Sequence, residues 1–168
     1  MSTTESGIGS TSLVVPTTQQ QWYVRRKGCS GSMALFNPEQ PDGRLMQQTL
    51  DKGPDDAPFR WRLELNVAVD NGTAYTGYSL ISVATGMAVR FDTLQSAVAA
   101  DVPAAQAAGR LPCLWTLTAA GDGYFSVNNY TQSQVLDAEG YTCDNGATIL
   151  LWPWNRGDNQ QWTFDEAP

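Results

Sequence analysis

Residues Gly123–Phe164 read GYFSVNNYTQSQVLDAEGYTCDNGATILLWPWNRGDNQQWTF, and this stretch sets the plan of the whole chain. It holds three of the six tryptophans, and turns rich in Gly, Asp and Asn separate its short apolar runs. Short runs between such turns are typical of β-strands joined by hairpins. The stretch therefore predicts a unit built from short strands.

The same unit recurs twice upstream in diverged form. Each repeat begins at a tyrosine and ends at a tryptophan, with separations of 38, 37 and 38 residues: Tyr23–Trp61, Tyr78–Trp115 and Tyr124–Trp162. A short apolar strand follows each tyrosine by nine or ten residues, at 33–35, 87–89 and 134–136. Three repeats of about four strands each predict a closed all-β body with pseudo-threefold symmetry, which is the β-trefoil plan.

The chain is long enough for one domain with its own core. We expect that domain at 21–168, with repeats at about 22–65, 77–118 and 123–165, after a flexible N-terminal tail at 1–20. The tail is rich in Ser, Thr, Gly and Gln, and its Leu13–Val15 segment offers an apolar contact to the body. In the second repeat, the Ala-rich segment 96–109 is expected to replace a strand and loop and to hold one or two helical turns, interrupted by Pro103.

Composition excludes several classes of function. A net charge of −7 and a pI near 4.3 argue against nucleic acid as a partner. No apolar run approaches the roughly 20 residues that span a bilayer, so membrane insertion is not expected. Histidine is absent, which removes the usual general base and the commonest metal ligand, and we expect no enzyme, cofactor or metal. No secretory signal is recognisable, which favours a cytoplasmic protein, with release by another route left open.

The three cysteines, Cys29, Cys113 and Cys143, form no Cys-x-x-Cys pair and are odd in number. They lie at non-equivalent places in the three repeats. This favours free thiols in a reducing compartment, and the alternative is a single bridge between two of them.

The closing residues Gln160-Gln161-Trp162 form a Gln-x-Trp motif. With it, the third repeat resembles a ricin B-type (R-type) lectin repeat. The first two repeats match only in topology, because Phe59-Arg60-Trp61 and Cys113-Leu114-Trp115 stand in the motif's place. We expect the three tryptophans to pack as core around the pseudo-threefold axis and the glutamine to hold a local turn. The motif by itself thus indicates a trefoil rather than sugar binding.

The resemblance implies a sugar site in the third repeat. It assigns Asp137 at the end of the second strand, Trp152 on the third strand and Asn159 beside the motif, with Gln160 behind them. A carboxylate accepts strong hydroxyl hydrogen bonds, an amide both donates and accepts, and an aromatic face covers the apolar side of a pyranose. Leu150 departs from the family, which often has a polar glutamine there, and this bears on the choice of sugar.

Strand alternation supports the placement of Trp152. If Ile149 and Leu151 point into the core, then Leu150 and Trp152 face the other side. The alternative is that Trp152 and Trp154 pack under a loop. For Asp137 the alternative is a turn residue that caps Glu139-Gly140.

The first two repeats lack this set of residues. The first offers Phe36 at the aspartate position and Gln48 at the aromatic one. The second offers Arg90 at the aspartate position, and its Asp92 lies two residues too late unless the strand carries a bulge. The sequence therefore predicts one site rather than three.

These observations favour a non-catalytic lectin that binds glycans or glycoproteins, and the resemblance implies galactose or N-acetylgalactosamine as the sugar. A protein with one weak site gains strength by multivalency, so we expect a homodimer or a larger assembly. One alternative is a β-trefoil protease inhibitor that uses the loops Pro38–Arg44 and Lys52–Arg60. Another is a targeting or assembly component of a toxin-like system.

Overall fold

A computed structural model describes residues 16–36, 42–50 and 56–168. The described strands are β1 Gln21–Arg26, β2 Gly31–Leu35, β3 Leu45–Thr49, β4 Arg60–Asp70, β5 Thr73–Ser82, β6 Met87–Asp92, β7 Ala97–Pro103, β8 Trp115–Gly121, β9 Tyr124–Asn129, β10 Val135–Ala138, β11 Ala147–Trp152 and β12 Trp162–Glu166. One short helix, α1 Ala104–Ala107, follows β7, and 3-10 turns lie at Ala57–Phe59, Leu111–Cys113 and Asp158–Gln160. In the part of the chain that the structure describes, no helix is long and apolar enough to cross a membrane.

The strands confirm an all-β β-trefoil with four strands in each repeat. The first and last strands of the repeats pair in a closed ring, in the order β1, β4, β5, β8, β9, β12 and back to β1. The two middle strands of each repeat form a hairpin: β2–β3, β6–β7 and β10–β11. The hairpins bond to one another through backbone contacts such as Ala100 N to Gly43 O, at 2.8 Å.

The three closing tryptophans are fully buried and play the same part in each repeat. Each indole Nε1 donates to a backbone carbonyl on the second strand of its own repeat: Trp61 to Met33 at 3.0 Å, Trp115 to Val89 at 3.0 Å and Trp162 to Leu136 at 3.1 Å. The predicted tryptophan core is therefore confirmed.

The predicted start of the repeats needs a correction. The residues paired directly with the closing tryptophans are Trp22, Tyr78 and Phe125, so Tyr78 keeps its assignment. Tyr23 and Tyr124 lie one residue away from the equivalent positions. Two aromatic residues stand side by side at each of these places, and because neighbours on a strand face opposite sides, spacing alone did not decide which one lies opposite the closing tryptophan.

The predicted register of the first repeat was also wrong. The carbonyl that accepts the tryptophan belongs to Met33 there, as it belongs to Leu136 in the third repeat. The residue that follows it is Ala34, which therefore occupies the aspartate position, whereas Phe36 lies two residues beyond it. The apolar run 33–35 gives no internal mark that fixes this register.

The Ala-rich segment of the second repeat is mostly strand. β7 runs to Pro103, and the one helical turn of α1 comes after this proline rather than before it. The pairing of β6 with β7 shifts register between Ala88 and Val89, which pair with Val102 and Ala100, so the extra residue is Asp101 on β7 and not a residue of the strand that carries Asp92. It does not bring Asp92 to the aspartate position, because Val89 accepts the tryptophan and Arg90 follows it directly.

The preference for free thiols was wrong for two of the three cysteines. Cys29 and Cys143 form a disulfide with Cα atoms 5.6 Å apart, and Cys113 is a buried free thiol. The bridge joins positions 114 residues apart in the sequence. The closure of the ring by β1 and β12 brings the first and third repeats together, and spacing within one repeat gives no hint of such a contact.

Some predictions fall outside the described residues. The Leu13–Val15 segment is among them, as are positions 38–41 and 52–55 of the two candidate inhibitor loops. Of the predicted tail, residues 16–20 are described, and the carbonyl of Thr17 accepts a hydrogen bond from the indole of Trp22 at 3.1 Å.

Candidate functional site

Asp137 lies on β10, directly after the carbonyl that binds Trp162, and only 4% of its surface is exposed. Its Oδ1 accepts a hydrogen bond from Nδ2 of Asn159 and its Oδ2 accepts one from Nε2 of Gln160, both at 2.8 Å. The carboxylate is thus held by two side-chain amides and does not serve as a turn cap. Burial raises the pKa of Asp137, although the hydrogen bonds from Gln160 and Asn159 and the charge of Arg26 act in the opposite direction.

The two amides stand on the 3-10 turn that precedes Trp162. Gln160 also donates to the carbonyl of Pro153 at 2.9 Å and accepts from the backbone N–H of Asn155 at 2.8 Å. It therefore holds the local turn, as predicted, and in addition it fixes the site carboxylate.

Asn159 is buried against the same strand. Its Nδ2 also donates to the carbonyl of Ala138 at 3.2 Å, while its Oδ1 has no hydrogen-bond partner among the described residues. Gly157 leaves room for this amide, since a β-carbon at that position would lie 2.4 Å from Oδ1.

The predicted alternation of β11 is confirmed. Ile149 and Leu151 are buried, Leu150 is half-buried opposite Asp137, and Trp152 is 51% exposed. Trp152 therefore does not pack under a loop. Trp154 is also exposed, at 40%.

These side chains meet at one cleft of about 250 Å³. Its walls are formed by Asp137, Glu139, Gly140, Tyr141, Leu150, Trp152, Asn155 and Asn159. Four of the five predicted residues line the cleft, and Gln160 lies behind them. Sequence reasoning missed the wall formed by 139–141 and Asn155. Tyr141, an aromatic residue in a polar turn, was the sequence signal that could have identified this wall.

The second repeat fills the corresponding place with an ion pair. Arg90, at the aspartate position, donates from Nε and Nη2 to the two carboxylate oxygens of Asp101, at 3.0 and 2.6 Å. Pro112 stands three residues before the closing tryptophan, where the third repeat has Asn159, and a proline ring has no amide to donate.

The first repeat has Ala34 at the aspartate position and Pro58 at the position of Asn159. Neither side chain offers a hydrogen bond. The described part of the chain also contains no group of three His, Cys, Asp or Glu residues arranged to hold a metal ion.

Comparison with known sequences finds lectin relatives. Residues 57–152 and 114–168 match the model of a family described as ricin-type β-trefoil lectin domain-like. A ricin B-like lectin of rice, Oryza sativa subsp. japonica, is 29% identical in an alignment over 118 residues that covers 65% of this chain and 34% of that protein. The chain therefore spans about a third of the length of that relative.

Solved structures share the fold. A designed threefold-symmetric protein, ThreeFoil, superposes with a TM-score of 0.66 at 23% identity, over 86% of this chain and 96% of that one. The ricin B-like lectin of Macrolepiota procera, in complex with lactose, gives 0.66 at 16%, over 90% and 99%. The C-terminal half of an earthworm R-type lectin, in complex with GalNAc, gives 0.64 at 14%, over 88% and 98%.

Proposed function

The chain belongs to the ricin-type β-trefoil lectin domain-like family, and we propose that it is a carbohydrate-binding lectin with one sugar site, in the cleft of the third repeat. One observation carries this proposal. Asp137, Trp152 and Asn159 converge on one cleft. In the other two repeats, the position of Asp137 holds Ala34 or the ion-paired Arg90, and the position of Asn159 holds a proline.

The carboxylate of Asp137 is prepared to accept hydroxyl groups. Each of its oxygens accepts one hydrogen bond from a side-chain amide, and an ionised carboxylate has about four acceptor positions in all. The remaining positions suit two neighbouring hydroxyls of one sugar, through charge-assisted hydrogen bonds.

The exposed ring of Trp152 supplies the apolar half of the site. Its indole lines the same cleft as the carboxylate and is exposed enough to cover the C–H face of a pyranose, where burial of apolar area favours binding. Leu150, which pairs with Asp137 on the neighbouring strand, also lines the cleft and adds apolar surface in place of a polar arm.

Galactose-type glycans are the ligands that we propose for this cleft. The two lectins of similar fold were solved with lactose and with GalNAc, both of which carry a galactose-type ring. We propose binding without catalysis, because two amides hold Asp137 as an acceptor. With one site per chain, assembly into dimers or larger units would supply the avidity that binding to glycoproteins needs.

A glycan array followed by titration calorimetry tests this function. The parent is expected to bind galactosides, and Asp137→Ala and Trp152→Ala are expected to lose that binding. Trp154→Ala is the matched control, because Trp154 is an exposed tryptophan outside the walls of the cleft. If Asp137→Ala and Trp152→Ala bind the array as the parent does, the proposed site is wrong.

A further inference from the structure

Tyr141 is an exposed aromatic residue on the wall of the cleft. It lies between β10 and β11, and 79% of its surface is accessible. Its side chain makes no hydrogen bond or aromatic ring contact with the described residues. A tyrosine placed in this way adds little to the stability of the fold, so its position beside the cleft calls for a different explanation.

The backbone beside Tyr141 is held by the first repeat. The buried guanidinium of Arg26 donates from Nη1 to the carbonyl of Thr142 at 2.6 Å. The next residue, Cys143, is joined to Cys29 by the disulfide. Two successive residues after Tyr141 are therefore anchored to another repeat.

The rest of this loop is tied to β3 of the same repeat. Nε2 of Gln47 donates to the carbonyl of Asp144 at 3.0 Å, and the backbone N–H of Thr49 donates to Oδ1 of Asn145 at 2.7 Å. An exposed ring on a loop fixed in this way loses little conformational freedom when a ligand arrives.

The cleft thus has aromatic side chains on two walls that come from different elements, Trp152 on β11 and Tyr141 on the loop. Asp137 and Asn159 are two of the polar residues that line the same cleft. In the proposed lectin site, a pyranose bound by its hydroxyls to Asp137 would place its apolar face on Trp152. The ring of Tyr141 is then available to contact the next sugar of the glycan.

We infer that Tyr141 is a specificity-determining residue that contacts the second sugar of a bound glycan, so that the site prefers disaccharides to single sugars. The inference rests on the proposed lectin function and deepens it. We also infer that the Cys29–Cys143 disulfide positions Tyr141.

Titration of methyl β-galactoside and lactose against the parent and Tyr141→Ala tests the inference. Tyr141→Ala is expected to weaken lactose binding by roughly three- to tenfold, the range that a lost aromatic contact produces. Binding of methyl β-galactoside is expected to stay unchanged, and Tyr141→Phe is expected to bind both sugars as the parent does. An equal change for both sugars, or no change for either, overturns the inference. If the parent binds neither sugar, the proposed galactoside-binding function is wrong, and the inference that rests on it is wrong with it.

Reduction of the disulfide tests the positioning role. Treatment with a phosphine reductant is expected to weaken lactose binding by the parent and to cause no further loss in Tyr141→Ala, because the two changes act through one contact. An equal loss on reduction in both proteins would show that the bridge acts on the whole cleft and would overturn this role. Circular dichroism establishes that the reduced proteins remain folded.

Discussion

Nε2 of Gln160 donates a hydrogen bond to Oδ2 of Asp137 across 2.8 Å. Two residues later, the indole of Trp162 donates to the carbonyl of Leu136, the residue just before Asp137. The glutamine and the tryptophan of the Gln-x-Trp motif therefore bind successive residues of β10. One holds the strand backbone and the other holds the carboxylate that the strand presents to the cleft.

This relationship explains why the glutamine is lost where the aspartate is lost. The first repeat has Phe59 and Ala34 at the two positions, and the second has Cys113 and Arg90. Without a carboxylate to hold, an amide at the motif position would have lost its charged acceptor, and both repeats place a less polar residue there. The tryptophan stays in all three because its partner is a backbone carbonyl, which every residue has.

Replacement of Gln160 should reduce sugar binding more than its local role predicts. In Gln160→Ala, Asp137 loses one of its two amide donors, and a buried acceptor left unpaired costs about 1–3 kcal/mol. We expect weaker galactoside binding by calorimetry together with a lower urea midpoint. Gln161→Ala is the matched control, because Gln161 is also buried but donates to the carbonyl of Arg156. It should lose stability and keep its affinity, and the opposite pattern would contradict the role of Gln160.

Sugar binding should weaken on acidification at a pH above the ordinary value for an aspartate. The proposed hydroxyl contacts need the ionised carboxylate, and burial raises the pKa of Asp137. Galactoside titrations from pH 7 to about pH 3, a range that spans the usual aspartate pKa of about 4, measure the effect. A midpoint below that value would contradict the raised pKa.

The raised pKa of Asp137 affects the stability of the fold in the opposite direction to its effect on sugar binding. A raised folded-state pKa means that the native protein holds the Asp137 proton more tightly than the unfolded chain does. Its contribution to stability is present below the unfolded pKa and is lost as the pH rises through the folded one. Acid loss of binding through Asp137 is therefore separable from unfolding, and far-ultraviolet circular dichroism at each pH makes the distinction.

The fold could be predicted from the sequence because it depends on features that recur in all three repeats. Three tryptophans at a common spacing, separated by strands and Gly or Asx turns, are enough to predict a trefoil. The register within the repeats could not be predicted, since Trp22-Tyr23 and Tyr124-Phe125 each offer two aromatic residues for the position opposite the closing tryptophan. Only the pairing of Trp22 and Phe125 with the closing tryptophans decides between them.

Only part of the candidate site could likewise be predicted from the sequence. Asp137, Trp152 and Asn159 lie within one repeat, and a family pattern over a continuous stretch located them. The wall that carries Tyr141 is set by contacts from Arg26 and Cys29, which are more than a hundred residues away in the sequence. Local spacing carries no information about such contacts between repeats.

The three closing tryptophans should be equally important for stability and unequally important for binding. Phenylalanine at Trp61, Trp115 or Trp162 removes the indole N–H and leaves a buried carbonyl unpaired, at a cost of about 1–3 kcal/mol each. Only Trp162 holds the backbone next to Asp137. Urea unfolding should show similar losses for the three variants, whereas galactoside titration should show weaker binding for Trp162→Phe alone. Equal loss of affinity in Trp61→Phe would contradict this division.

Asp56, a buried acid far from the cleft in sequence, should contribute to the acid stability of the domain. Asp56 is buried, pairs with Nε of Arg60 at 2.7 Å and accepts a hydrogen bond from the hydroxyl of Tyr23. Burial alone would raise the pKa of Asp56, but the hydrogen bonds from Tyr23 and Arg60 and the charge of Arg60 outweigh it and lower the pKa.

Because the folded pKa of Asp56 is depressed, its contribution to stability is present above the unfolded value, about 3.9, and is lost as the pH falls through the folded value. Asp56→Asn should therefore lower the free energy of unfolding at pH 7 by about 1–3 kcal/mol, the cost of a weakened buried hydrogen-bond set. The difference from the parent should shrink as both are taken to lower pH, because the parent then protonates Asp56. Urea unfolding at pH 7, 5 and 3 gives the comparison, with Asp122→Asn, in an exposed turn, as the control. A difference that stays constant over this range would show that Asp56 stabilises the fold through packing rather than through its charge.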